Sequence, residues 1–250
     1  RPTLLCDMVA TTAHNIAHGN HNLELFEIGR VFANRANVQE ERVEACMVLS
    51  GLSQPGRFSA EREVEYDFYD LKGRLEDLLV ARRIRDYRVA KAAHPVFRKG
   101  VCASVSVGDT TIATFGELHE GLTDDMRIRH RVYMALIDLD QLLALSGEKA
   151  IFSGLPQFPA TTRDIAFLAD ETLENQQVLD AIGTIRVKFL ESVELFDIFQ
   201  DEKALGKGKK SMAYSFTFRH PERTLKDKEV NKAYDFLRQE LSKALSVTMR

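Results

Sequence analysis

The residues best suited to chemistry in this sequence are cations that cluster in one stretch. Lys203, Lys207, Lys209 and Lys210 fall in the segment DEKALGKGKK, which lies between two apolar runs. A polar, glycine-containing segment in that position predicts a β-hairpin with the lysines at its tip. Cations held at such a tip can contact the phosphates of an RNA backbone. The stretch therefore predicts an RNA-binding hairpin or, in the simpler interpretation, a solvated basic loop.

The second strand of this hairpin extends the candidate set. Its side chains alternate, so Met212, Tyr214, Phe216 and Phe218 share one face of the strand. The usual burial of aromatic residues places that face in the core. In the alternative, Tyr214 or Phe216 is exposed and stacks on an unpaired base. The predicted RNA-binding residues are Lys203, Lys207, Lys209, Lys210, Tyr214, Arg219 and Arg223, with Arg219, and Tyr214 if exposed, contacting bases.

Other polar residues give no sign of a catalytic or metal site. The three cysteines are far apart, without a CxxC pair or a histidine cluster, which predicts reduced thiols and no zinc. His94 and His119 have no recognisable nucleophile nearby, so we expect structural roles at turns. The run GKGKK lacks the spacing of a phosphate loop and leads into a strand. We predict no catalytic residue and no metal ligand.

Composition narrows the class of protein. The 250 residues are 44% hydrophobic and 28% charged, which is enough for one or two globular domains. The net charge of -3 excludes a general polycation, so any contact with nucleic acid must be local. No apolar run is long enough to span a membrane, and the first residues lack the layout of a signal peptide. We therefore expect a cytoplasmic protein with no membrane contact.

The segment GEKAIFSGLPQFPATTRD predicts a domain boundary, because its glycines and prolines interrupt regular structure. We place the domains at residues 1–153 and 154–250. In the first domain, strands at 23–32 and 43–52 are predicted to flank an exposed loop, ANRANVQEER. A helix from DFYDLKGRLEDLL, a hairpin around Gly108 and Asp109, and a strand and helix in VYMALIDLDQLLAL follow. Antiparallel strands with helices to the side predict an α+β fold.

The second domain has a simpler pattern. TRDIAFLA predicts a strand, NQQVLDAIGTIRVKF a helix, residues 192–199 and KSMAYSFTFRH two strands, KEVNKAYDFLRQELSKAL a helix, and VTMR a last strand. This βαββαβ order is that of the ferredoxin-like split motif, with two helices on one face of an antiparallel sheet. The topology serves many functions and selects none of them.

Several blocks together resemble one family. FPATTRDIAF, SVELFDIFQ, GKKSMAYSFTF and PERTLKDKEVN look like the ferredoxin-like anticodon-binding domain of phenylalanyl-tRNA synthetase β subunits. Upstream, YDFYDLKGRLEDLL and FGELHEGL resemble the class II synthetase-like core of the same subunit. The resemblance implies a C-terminal fragment, since the family continues upstream with tRNA-binding and editing modules. It also implies an α2β2 heterotetramer with the α subunit, binding of tRNA(Phe), and ATP and magnesium in the whole enzyme but no cofactor in this fragment.

The same resemblance implies that the core is catalytically inactive. A class II site needs one arginine on a motif strand and another in a glycine-rich motif to offset phosphate charge. Here Glu27, Ile28 and Gly29 stand at the first position, and VYMALIDLDQLL, with Asp138 and Asp140, stands at the second. The expected role is to hold the α subunit. The alternative is a free-standing ferredoxin-like regulatory or protein-interaction module without RNA binding.

The resemblance also raises a question about the last helix. The family usually has a Ser or Thr where Lys226 stands, so we expect Asp227 or Thr224 to cap the helix.

Overall fold

The computed structural model describes residues 1–35, 38–54, 64–147 and 154–250. The chain divides into two units, Arg1–Ala150 and Ile151–Arg250. The boundary at 153 and 154 proposed from the sequence adjoins residues 148–153, which lie outside the described residues, and it stays a prediction.

The first unit is built on a six-stranded antiparallel sheet with the strand order β1-β2-β6-β5-β4-β3. Its elements are α1 (Leu5–Ala17), β1 (Leu23–Arg35), β2 (Val38–Ser50), α2 (Phe68–Ala81), β3 (Arg88–Lys91), β4 (Phe97–Val107), β5 (Thr110–Leu118), α3 (Glu120–Asp125), β6 (Val132–Asp138) and α4 (Leu139–Ala144). The α+β class predicted from the sequence is confirmed.

Each face of this sheet packs against a different helix, and successive side chains along a strand point to opposite faces. Helix α1 buries Met8 and Val9 on one face, against residues such as Val48. Helix α2 buries Leu71, Leu75 and Leu79 on the other face, against residues such as Phe115 and Ile137. The helical spacing predicted for α2 is confirmed, and α2 begins where the Asp67 carboxylate accepts from the N–H of Tyr69 and Asp70.

The first hairpin differs from its prediction. The strands β1 and β2 run through most of ANRANVQEER, so a ten-residue loop is wrong; only residues 36–37 between them lie outside the described residues. Polar residues suit this part of the ladder because they can pair across it, as Arg30 does with Glu41 at 2.9 Å. Polar residues indicate exposure, but an exposed part of a hairpin ladder can be as polar as a loop.

The second unit has the predicted ferredoxin-like topology. Its elements are β7 (Thr161–Asp170), α5 (Asn175–Thr184), β8 (Leu190–Phe199), α6 (Glu202–Leu205), β9 (Lys209–Phe218), α7 (Asp227–Leu245) and β10 (Thr248–Met249). The antiparallel sheet has the order β10-β7-β9-β8. Helices α5 and α7 cover one face of it, where Val178 and Leu237 join Phe167 and Phe216 in a single core. The short α6 was not predicted.

Both helices of this unit differ in detail from their predictions. Helix α5 ends at Thr184 and not near Phe189, because the backbone is already extended at Ile185 (φ −83°, ψ 110°). Helix α7 is not capped by Asp227 or Thr224. Instead, the Glu229 carboxylate accepts from the N–H of Lys226 at 3.1 Å, so the acid three residues into the helix supplies the acceptor.

Candidate nucleic-acid interface

The basic segment forms a hairpin tip, as the sequence predicted. Strands β8 and β9 pair antiparallel, with Phe199 opposite Ser211 at the end of the ladder. Between them, the Asp201 carboxylate caps α6 by accepting from the N–H of Lys203 at 2.7 Å. Gly206 and Gly208 then turn the chain with φ of 89° and 73°, values that favour glycine. The sequence DEKALGKGKK therefore closes the hairpin by a helix turn and two glycines.

The four lysines of this tip are not equally available. Lys203 and Lys207 are exposed, and neither forms an ion pair with any residue in the described part of the chain. The Lys209 ammonium lies 3.9 Å from a carboxylate oxygen of Asp170 and is 45% exposed. Lys210 is half-buried and has a polar interaction. Lys203 and Lys207 are therefore the cations best placed to contact a phosphate, followed by Lys209.

Acidic residues surround these lysines. Asp201 and Glu202 lie in the same turn. Asp170 ends the neighbouring strand β7, and Glu171, which follows it, donates its N–H to the Gly208 carbonyl at 2.9 Å. Hydrogen bonds from Thr172 lower the pKa of Asp170, with smaller contributions from Lys209 and Lys210. The tip therefore offers point contacts through long side chains and lacks a broad positive surface.

Tyr214, a predicted RNA-binding residue, lies in the core of the second unit. Its side chain is completely buried, as is that of Phe216, and its ring lies 5.7 Å from that of Phe167 in a stacked arrangement. The Tyr214 hydroxyl donates to the side-chain oxygen of Asn175 at 2.8 Å, at the start of α5. Burial raises the pKa of Tyr214. Base stacking by Tyr214 or Phe216 required an exposed ring, so that hypothesis is wrong, and the placement of this face in the core is confirmed.

Arg219 and Arg223 have partners within the unit. Arg219 donates from Nε to Glu191 at 2.8 Å and from Nη1 to the Phe158 carbonyl at 3.1 Å, and its side chain is 25% exposed. Arg223 donates through both terminal nitrogens to the Glu229 carboxylate, at 2.7 and 2.8 Å. This pairing lowers the pKa of Glu229 to about 2. Both arginines support the unit, and contact with RNA would need them to exchange these partners.

The open face of the second sheet, opposite α5 and α7, carries acids. Ser215 on β9 lies between Asp164 on β7 and Glu194 on β8 in the register of the sheet. A polyanion would be repelled by these carboxylates. Of these two surfaces, the hairpin tip presents exposed cations and the middle of the sheet face presents carboxylates.

The charged residues at the two motif positions of the first unit serve its structure. Glu27 pairs with Arg1 at 2.7 Å, Asp138 caps α4 by accepting from Gln141 N–H at 3.0 Å, and Asp140 accepts from Val43 N–H at 2.8 Å. His119 caps α3 by accepting from Gly121 N–H at 3.0 Å, as expected of a residue at a turn. Each of these four side chains thus has a partner within the first unit.

Two buried carboxylates were missed by the sequence analysis. Glu44 is 3% exposed and accepts from the Thr3 hydroxyl at 2.6 Å, Leu4 N–H at 2.7 Å and Arg42 at 3.0 Å. Glu117 is 6% exposed and accepts from Arg98 at 3.1 Å. The available signal was an acid inside an apolar strand sequence, as in VEACMVL and FGEL.

Within the described ranges, no group of three or more histidine, cysteine, aspartate or glutamate side chains is arranged to hold a metal ion. Nor does any helix in those ranges have the length and apolar character needed to cross a membrane.

Comparison with known proteins places both units. Residues 1–139 match the family model of the phenylalanyl tRNA synthetase beta chain CLM domain, and residues 156–250 match that of the ferredoxin-fold anticodon binding domain. The chain is 32% identical over 251 residues to the phenylalanine–tRNA ligase beta subunit of Clostridium acetobutylicum, covering 100% of this chain and 30% of that protein. It is 33% identical over 254 residues to the same subunit of Streptococcus pneumoniae strain R6, covering 100% and 31%.

The chain thus spans about 30% of the length of these relatives. Pyrrolysyl-tRNA synthetase from Desulfitobacterium hafniense has a weak structural likeness, with a TM-score of 0.43 and 19% identity over 58% of this chain and 49% of that one, which supports no argument. The free-standing ferredoxin-like module is not favoured, because a second family model matches the first unit as well. Matched along its whole length and in both of its units, the chain belongs to the family of phenylalanyl-tRNA synthetase beta subunits.

Proposed function

We propose that this chain works as part of the beta subunit of phenylalanine–tRNA ligase in the cytoplasm, where its second unit binds the anticodon region of tRNA(Phe). The observation that carries this proposal is the match of residues 156–250 to an anticodon-binding family model on a unit with ferredoxin-like topology. The chain itself contributes no catalytic residue. Phenylalanine, ATP and magnesium bind in the α subunit of an α2β2 assembly.

In this proposal, the hairpin tip contacts the RNA backbone. Lys203, Lys207 and Lys209 carry the exposed positive charge of the tip, and the half-buried Lys210 follows Lys209 in strand β9. Contacts of this kind position the RNA without reading its sequence. Recognition of anticodon bases then requires Arg219 or Arg223 to exchange Glu191 or Glu229 for RNA.

A salt titration of binding to the anticodon stem-loop tests the hairpin. Replacing Lys203, Lys207 and Lys209 with alanine should weaken binding to every loop sequence. It should also make the negative slope of log K against log salt shallower by up to about two units. The matched control replaces three exposed cations of α7, Lys228, Lys232 and Arg238, with alanine, which changes the net charge equally. Equal slopes in wild type and hairpin variant, with both folded, would remove the hairpin from the interface.

The first unit is proposed to hold the α subunit through strand β1. Phe26 and Ile28 are 74% and 57% exposed and, with Phe32, lie on one face at the outer edge of the sheet. An apolar strip of this kind is typical of an interaction surface. Phe26→Glu should therefore reduce co-purification with the α subunit, whereas Val80→Glu, at a position 70% exposed on α2, should not. Equal capture of both variants would place the α contact elsewhere.

A further inference from the structure

A cavity in the first unit has four arginines among the residues that line it. It has a volume of about 690 Å³ and lies where β5 ends, α3 follows and β6 begins. Four guanidinium groups and one imidazole line it, together with three carboxylates. The charged lining residues are Arg98, Arg127, Arg129, His130, Arg131, Glu117, Glu120 and Asp124.

The carboxylates of this cavity hold part of the arginine set in place. Glu117, whose side chain is 8% exposed, lies 3.1 Å from Arg98 and 4.0 Å from Arg131. A second nitrogen of Arg98 lies 3.7 Å from Glu120. Glu117 therefore holds Arg98 in the wall of the cavity and offsets part of the positive charge there.

Two other arginines complete the cavity without such partners. Neither Arg127 nor Arg129 makes an ion pair with a residue that the structure describes, and both are exposed. Guanidinium groups bind phosphate oxygens through paired, charge-assisted hydrogen bonds. We propose that this cavity binds a phosphate group, either free or as a phosphodiester of RNA, and that Arg127 and Arg129 are its direct ligands. Asp124 opposes that binding.

The backbone at Arg127 allows a variant that removes the guanidinium without harming the fold. Arg127 follows α3 with φ 56°, its N–H donates to the Asp124 carbonyl at 2.9 Å, and Ile128 N–H donates to the Thr123 carbonyl at 2.8 Å. This is the hydrogen-bond pattern of a helix end that favours glycine. Arg83 occupies the equivalent position after α2, with φ 59°, and does not line the cavity. There, Arg83 N–H donates to the Val80 carbonyl at 3.0 Å and Ile84 N–H to the Leu79 carbonyl at 2.9 Å.

The experiment measures binding of inorganic phosphate to the 250-residue chain by calorimetry. Arg127→Gly should weaken binding at least about tenfold, the loss expected for charge-assisted hydrogen bonds, while thermal melting stays equal or rises. Arg83→Gly should bind as wild type does. Asp124→Asn should bind more tightly, since it removes the opposing carboxylate. Equal phosphate affinity in Arg127→Gly and Arg83→Gly would overturn the proposal.

A second measurement identifies the source of the phosphate and separates this site from the hairpin. It uses a short oligouridylate without terminal phosphates, titrated into the variant that lacks Lys203, Lys207 and Lys209. Binding that Arg127→Gly abolishes would assign the cavity to RNA phosphodiesters. Binding of inorganic phosphate with no effect of Arg127→Gly on the RNA would assign it to a free phosphate ligand. Absence of binding by both probes would overturn the site while leaving the anticodon hairpin untouched.

Discussion

The tip of the β8–β9 hairpin and its base, where Arg219 follows strand β9, differ in what their polar side chains contact. At the tip, Lys203 and Lys207 extend into solvent. At the base, Arg219 reaches Glu191 and the Phe158 carbonyl, which lie 28 and 61 positions away in sequence. Cations of one sequence cluster are thus divided by the fold into side chains that can contact a ligand and side chains that hold the unit together. Spatial neighbours, and not clustering in sequence, decide which role a cation has.

The largest effect expected from this division is at Tyr214, the buried member of the candidate set. Tyr214→Ala should lower the free energy of unfolding of the second unit by about 3–5 kcal/mol, because it leaves a large cavity in the core of that unit. Urea denaturation of the chain measures this. Ser215→Ala, the neighbour on the open face, should change stability by less than about 0.5 kcal/mol. Similar stability of both variants would contradict the interior role of Tyr214.

Replacement of Arg219 should have an intermediate effect. Arg219→Ala should lower the free energy of unfolding by about 1 kcal/mol, since the ion pair with the partly exposed Glu191 is weak and the hydrogen bond to the Phe158 carbonyl adds a modest amount. A double-mutant cycle with Glu191→Gln separates the two contributions. If Arg219→Ala weakens RNA binding strongly and leaves stability unchanged, Arg219 belongs with the residues of the tip.

The ion pair of Arg223 and Glu229 should be detected through the pH dependence of stability. The pKa of Glu229 is lowered from 4.5 to about 2, so its contribution to stability is present above pH 4.5 and is lost as the pH falls toward 2. Glu229→Gln should therefore flatten the fall in melting temperature over that interval. Glu222→Gln, an exposed acid in the same segment, is the control and should not. If the melting temperatures of wild type and Glu229→Gln fall equally as the pH is lowered through that interval, the ion pair is not formed in solution.

The smallest effect on stability is expected at the tip. Alanine at Lys203 and Lys207 should change the free energy of unfolding by less than about 0.5 kcal/mol, because both side chains are solvated. Urea denaturation again provides the measurement. A loss of more than about 1 kcal/mol would mean that the tip supports the fold, which would remove the contrast with the base of the strand.

Most elements of the fold could be predicted because their hydrophobic periods are strong. The stripe of α7 and the alternation of β9 each identify a buried face without knowledge of the neighbours. Helix α1 had a usable signal that was overlooked: Leu5, Met8, Val9, Thr12 and Ile16 are its buried residues and recur at helical spacing. Strand β3, with four residues and little apolar character, had almost none.

The candidate site was predicted less completely, for a physical reason. The hairpin and its lysines follow from local sequence, but the partners of Arg219 come from β8 and from the segment before β7. The cavity of the first unit brings together Arg98, Glu117 and Arg131 from three strands or their ends. Pairings of this kind depend on the packed structure, and a single sequence contains no local signal for them.

The two-residue strand β10 affects the order in which the chain folds during synthesis. Thr248 and Met249 pair with Leu168 and Phe167, and Arg250 N–H donates to the Ala166 carbonyl at 2.9 Å. These contacts join residues about 80 positions apart, so the loop between them must close before they form. On the ribosome, β7 therefore keeps one open edge until residues 248–250 have left the exit tunnel. The first unit needs a closure of similar length, because β2 pairs with β6 from Ser50 and Val132 to Glu44 and Asp138, but residues 132–138 are synthesised earlier. The edge of β7 therefore stays open after that closure is possible, which exposes β7 to wrong pairing during the interval.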